Sequence, residues 1–334
     1  MTLKFDPWYD FRNPPQWYRN PEDLYAETLD QIGWADDLGF SCAWVSEHHF
    51  TEEGYLPAVF SALSAMAMRT SKMRLGTSVL LAPLHHPLRL AEEAAVVDAI
   101  SGGRLELGLA PGYRVAEFDA MGVPKKQRGA RTDEILELLI KAWTQDRVNH
   151  EGRHYQFSDV AVGPKPVQDP YPSLWIGGSS LIAARRAARF GCKFMPDSGA
   201  APEVFSEYSE GLAAGGHPPG ELATNMVIYV CDDPERGWEE VKEHYFYVYQ
   251  CYQRWFAEAG DLLQVNDSIQ SPDDLPRSTH IVGTPEMVIE EIERQRERRH
   301  FDRLIFWARP PGLAIEKSSR SLELMASEVL PHFA

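Results

Sequence analysis

The 334-residue chain is 44% hydrophobic and 25% charged, the balance of an ordinary globular protein long enough to bury a large core without disulfide staples. Its formal net charge of −16 argues against nucleic acid and anionic lipid as main partners, yet leaves room for a local phosphate pocket. No run approaches the roughly 18 consecutive apolar residues of a membrane span, and the opening MTLKFDPWYD lacks the apolar segment of a signal peptide, so a cytoplasmic protein is expected.

Short apolar runs alternate with longer amphipathic ones, the pattern of a parallel sheet covered by helices. Residues 3–11 read as a first strand, running into a Pro- and Asn-rich loop at 12–20. A helix over 21–38 follows, with Leu24, Thr28, Ile32 and Ala35 on one face and Gly39 as its stop. The second strand is 41–47, followed by a helix over 56–69; the third is 72–81, followed by a helix over 88–100. The fourth is 104–110, with a helix over 131–143.

The stretch 147–172 breaks this rhythm with Pro164, Pro166, Pro170 and Pro172, and reads as an inserted loop or hairpin. The fifth strand (174–176), a helix (181–190), the sixth strand (192–195), a helix (202–214) and the seventh strand (224–231) resume it. Residues 232–280 form a second insertion, with an aromatic helix over 233–259 and a loop over 266–277. Gly283-Thr284-Pro285-Glu286 opens a helix with Thr as cap and Pro at the first helical position. The eighth strand (301–307) and a last helix (316–329) close the chain. Eight units without a linker-like break predict a single domain over 1–334, a (β/α)8 TIM-type barrel with insertions; the rival is a doubly wound open sheet.

A barrel of this kind places its active site at the carboxyl ends of the strands. The second strand ends in Glu47-His48-His49-Phe50; an imidazole there can move protons near neutral pH, or simply cap the strand. Adjacent strand residues face opposite ways, so the two histidines rarely share a metal, and His49 and Glu47 should point away from the ring of His48. Glu47 is therefore left out of the site. The fifth strand ends in Gly177-Gly178-Ser179-Ser180 before a helix, a turn that suits a phosphate or a plain serine cap. Thr77, Ser78 and Val79 give the third strand a mouth of mostly small residues against which a flat ring can lie. Cys42, Cys192, Cys231 and Cys251 follow no metal-binding spacing, and no metal is expected. Tyr245, Tyr249, Tyr252 and Phe256 recur at helical spacing, as a lid over the mouth or as a face packed on the barrel or a second subunit.

These segments, with the Gly76-Thr77 strand, the His86-Pro87 turn, Ser101-Gly102-Gly103-Arg104, Glu151-Gly152-Arg153-His154-Tyr155 and Val282-Gly283-Thr284-Pro285, resemble in order the luciferase-like flavin monooxygenases across nearly the whole chain. The resemblance implies reduced FMN in the barrel mouth, supplied by a separate flavin reductase and used with molecular oxygen on a small or medium organic substrate. It implies that His48 is catalytic, that Gly177, Gly178, Ser179 and Ser180 hold the FMN phosphate, and that Thr77, Ser78 and Val79 support its ring, with a cis peptide at Ser78–Val79. Pro111 stands where luciferase has an arginine that meets the phosphate, which implies weaker FMN binding or another source for part of the anion site. A deazaflavin-dependent dehydrogenase or reductase is the alternative, and a non-catalytic flavin-binding partner subunit a third. A homo-oligomer, a dimer, is expected.

Overall fold

The computed structural model describes residues 2–261 and 264–334. In chain order the elements are β1 (Lys4–Tyr9), α1 (Pro21–Leu38), β2 (Cys42–Val45), α2 (Val59–Arg69), β3 (Arg74–Thr77), β4 (Leu80–Leu81), α3 (Pro87–Ser101), β5 (Leu105–Ala110), α4 (Val115–Ala120) and α5 (Arg128–Thr144). They continue with β6 (Val148–Glu151), β7 (Gln156–Val160), β8 (Ser173–Gly177), α6 (Leu181–Arg189), β9 (Lys193–Met195), α7 (Pro202–Ala214), β10 (Ala223–Val230), α8 (Pro234–Ala259), β11 (His280–Gly283), α9 (Pro285–Arg298), β12 (Arg303–Trp307) and α10 (Ile315–Leu324).

Parallel pairing runs β10–β12–β1–β2–β3–β5–β8–β9. The ring closes through a single parallel bridge, Phe194 to Leu222, so the sheet is a closed barrel rather than an open doubly wound sheet. The expected third strand is two pieces, β3 and β4, separated by Ser78–Val79, whose peptide bond is cis. β6 and β7 form an antiparallel hairpin outside the barrel. β10 splits its partners: Ala223–Met226 pairs with β12, and Val227–Val230 pairs with β11, a strand the sequence pattern does not reveal.

Local chemistry sets the helix ends. Asn20 accepts the Glu22 N–H and Pro21 occupies the first turn of α1, while Gly39, at φ 91°, turns the chain out at its end. Asp233 caps α8 by accepting from the Glu235 and Arg236 amides.

Two layers of side chains fill the barrel. Trp44 and Trp175 meet edge to face at 5.7 Å, with Cys42, Met195, Ala223 and Ile305 around them. Gly76 makes room for this pair, since a Cβ there would lie 2.4 Å from the Trp44 ring. Below, the indoles are tied to carboxylates: Trp44 Nε1 donates to Asp6 at 3.0 Å and Trp175 Nε1 to Glu106 at 2.6 Å. Arg303 bridges Asp6 at 3.0 Å and Glu221 at 2.7 Å, and Arg74 pairs with Glu106. Buried charges in such a network are compensated, as burial requires. The amino ends of the strands are thereby plugged by this network.

Candidate active site

A cavity of about 410 Å3 lies at the carboxyl ends of the strands, directly above the tryptophan layer. Its wall takes Trp8 from β1, the segment after β2, Ser78 and Val79 after β3, Ala110–Tyr113 after β5, Gly177–Ser179 after β8, and Met195–Asp197 after β9. A larger cleft of about 830 Å3 lies between α5, the hairpin and the end of α6, but touches no strand carboxyl end of the barrel. The smaller cavity is the one the barrel's architecture builds.

His48 lies on this wall, nearly buried, with its ring in a nest of aromatics. Tyr55 meets it edge on at 4.8 Å, and Trp255 lies 5.0 Å away. Its Nδ1 is 2.7 Å from Glu117 Oε1. Glu117 sits in the first turn of the short helix α4 and is wholly buried. It also accepts the His49 N–H at 3.0 Å, and Arg114 approaches it at 3.8 Å. A buried carboxylate on one ring nitrogen fixes how the ring is turned and favours a proton on that side, leaving Nε2 for other partners. Glu117 lies 69 residues from His48 in sequence, and nothing in the local pattern singles it out.

Glu47 and His48 lie past the end of β2 at Val45, beyond strict strand alternation, and pair with different partners. Glu47, left out of the expected site, nonetheless lines the same cavity. Its Oε1 meets His49 Nε2 at 2.9 Å and His85 Nε2 at 2.8 Å, and Oε2 accepts the Leu81 N–H at 2.6 Å. Burial alone would raise this carboxyl, but the charge of His85 and the bonds from His49 and His85 outweigh it and hold the pKa at about 2. Burial pulls His85 down, yet the Glu47 charge wins and raises it.

A depressed carboxyl stabilises the fold above its unfolded pKa and loses that contribution as pH falls through the folded value. Glu47 therefore contributes about 3 kcal/mol near neutrality, lost between pH 4.5 and about 2. Urea melts of wild type and Glu47→Gln should differ most near neutral pH and converge at the acid end. A stability difference that does not change with pH would contradict this account.

The residues expected at the cofactor divide into two groups. Ser78, Val79, Gly177, Gly178 and Ser179 share the cavity with His48. Thr77 and Ser180 do not line it. The Thr77 hydroxyl donates to the Gly108 carbonyl at 2.7 Å and accepts its N–H at 2.9 Å, locking β3 to β5 behind the wall. Ser180 caps α6, accepting the Ala183 N–H at 3.2 Å. Gly177 must remain bare, since a Cβ there would lie 2.6 Å from Val79 Cγ1.

Helix α8 closes one side, and its two halves do different work. Tyr245 and Trp238 pack with Tyr229 of β10 and Leu313. The far half brings Trp255 over His48, puts Tyr252 in the cavity wall 3.3 Å from the Tyr55 hydroxyl, and stacks Phe256 on Tyr113. Tyr249 points elsewhere, donating to the Asn266 carbonyl at 2.6 Å. Among the described residues, no group of three or more His, Cys, Asp or Glu is placed to hold a metal, and no helix is long and apolar enough to cross a membrane.

Fold and site together define a barrel enzyme whose cavity carries an acid–imidazole pair. The chain belongs to the luciferase-like monooxygenase family, whose model matches residues 7–303, and it is an oxidoreductase. It is 27% identical to the oxygenase component of the flavin-dependent trigonelline monooxygenase of Acinetobacter baylyi, over 94% of this chain and 91% of that one. It is 32% identical to an F420-dependent glucose-6-phosphate dehydrogenase of Segniliparus rotundus, over 65% of this chain and 66% of the other. The fold is similar to that of the monooxygenase RslO1 from Streptomyces bottropensis, with a TM-score of 0.87 and 27% identity over 99% of this chain and 100% of that one.

Proposed function

We propose that this protein is the oxygenating component of a two-component flavin monooxygenase, using reduced FMN from a separate reductase and molecular oxygen on a small or medium organic substrate. The observation that carries this reading is the His48–Glu117 pair, buried at 2.7 Å on the wall that the Gly177–Ser179 turn also forms. The cavity fits a flat ring with hydrogen-bonding edges. Trp8 Nε1, Tyr113 Oη and Thr224 Oγ1 are buried beside it without a partner among the described residues, and such groups call for one. The bare Gly177 against Val79 keeps that wall thin.

In this reading Ser78, Val79 and Gly177 support the ring, and Gly178 and Ser179 face the phosphate. Bound reduced FMN supplies electrons to oxygen, which is chemistry no side chain here can perform. The chain's own residues do the rest. His48 gives or takes a proton at Nε2 while Glu117 holds its Nδ1. Tyr55, Trp255 and Tyr252 keep water from the ring of His48. Purified protein, anaerobic reduced FMN and oxygen, with a panel of candidate substrates, should consume oxygen and return oxygenated product. Oxygen consumed only into hydrogen peroxide, across the whole panel, would count against it.

A second reading, a deazaflavin-dependent dehydrogenase, is favoured by the similarity to F420-dependent enzymes. Titration of the protein with reduced FMN and with reduced deazaflavin separates the two. Binding of deazaflavin alone, with oxygen-independent turnover, would replace the first reading. The intact His48–Glu117 pair speaks against a partner subunit without catalysis.

A further inference from the structure

The end of the cavity at the Gly177–Ser180 turn is short of positive charge. Among the described residues, no lysine or arginine lines the cavity; its acidic lining groups are Glu47 and Asp197. Asp197 follows β9 and stands directly against the turn. The Ser179 hydroxyl donates to Asp197 Oδ2, and the Asp197 N–H donates back to Ser179 Oγ at 3.0 Å. The Gly199 N–H holds the other oxygen, Oδ1, at 2.8 Å. A carboxylate thus occupies the very hydroxyl that the sequence offers to a phosphate. Arg299 packs behind this loop without lining the cavity, with Nη1 on the Ser198 carbonyl and Nη2 on Gln295 Oε1 at 3.3 Å, and feels the Asp197 charge from there.

We propose that Asp197 is a specificity-determining residue that opposes a phosphate monoester at this turn, so that the chain holds its flavin by the ring and distinguishes FMN poorly from riboflavin. The proposal rests on the reading that places the cofactor's phosphate at the Gly-Gly-Ser-Ser turn. Like charges a few ångströms apart repel, and a phosphate that takes the Ser179 hydroxyl must also break its bond to Asp197. Asp197 is exposed, so solvent and salt reduce the effect to about fivefold in affinity, and high salt should shrink it further.

The test uses the full chain, titrated with oxidised FMN and with riboflavin and followed by flavin fluorescence at low and high salt. Asp197→Asn keeps an acceptor for Ser179 and removes the charge. It should tighten FMN about fivefold at low salt and less at high salt, leaving riboflavin unchanged. A change of equal size for both flavins, no change for FMN, or no FMN binding by either protein overturns the proposal. Gly178→Ala separates this proposal from the reading beneath it, because Gly178 sits at φ +131°, where an L side chain is strained. Selective weakening of FMN by Gly178→Ala, with no response to Asp197→Asn, overturns the role of Asp197 and leaves the phosphate at the turn. No FMN-specific response in either variant overturns both.

Discussion

Replacing His48 with alanine is expected to cut turnover by about 100- to 10,000-fold, with flavin affinity close to wild type. The magnitude is that of a general acid–base group, and the geometry supports the assignment: His48 is the imidazole that combines a place on the cavity wall with a buried carboxylate on Nδ1. Folding should survive, because Glu117 keeps the His49 N–H at 3.0 Å and Arg114 at 3.8 Å when the ring is gone. His49→Ala is a different kind of variant. It removes one of the two imidazoles on Glu47 and should lower the melting temperature while costing turnover far less. Stopped-flow mixing of reduced-flavin enzyme with oxygen and an accepted substrate reads the difference. Equal losses in the two variants, or none in His48→Ala, would mean that the proton moves through another group.

Glu117→Gln should lower turnover on the order of 100-fold with little effect on KM. Glutamine preserves the shape of the contact and removes the charge-assisted hold on Nδ1. Glu117 touches neither substrate nor cofactor in this reading; it is a positioning residue. The split between turnover and KM separates that role from simple support, since a variant whose cavity is merely loosened loses affinity as well. Turnover matching wild type would show that His48 does not depend on this carboxylate. Because Glu117 is wholly buried, its melting temperature should be measured alongside.

The alternation of apolar runs and amphipathic helices carried the barrel, because strand and helix periods are local properties of the chain. The strands missed or divided are those whose pairing is not local. β11 exists because the far half of β10 leaves β12 and takes a new partner, and four residues with His280 at their head do not read as a strand. The lining of the candidate cavity was legible where a motif sits on one strand end, as with His48, Val79 and Gly177. It was not legible where partners meet across the barrel. Glu117 lies in a six-residue helix, Asp197 follows a three-residue strand, and His85 reaches Glu47 from 38 positions away. Thr77 and Ser180 show the opposite failure: each sits inside a motif, but its hydroxyl is spent on β5 or on the start of α6.

The division of labour along α8 bears on how such an enzyme changes its diet. The floor of the cavity is made of strand ends locked into a ring, where Gly177 admits no larger side chain against Val79. The roof comes from one helix, moored by its first half at Trp238 and Tyr245 and reaching over the opening with its second. Exchanges at Tyr252, which lines the cavity, can therefore reshape what enters, at a cost wherever they loosen its contact with the Tyr55 hydroxyl. Variation in that one stretch of helix alters the opening while leaving the ring of strand ends as it is.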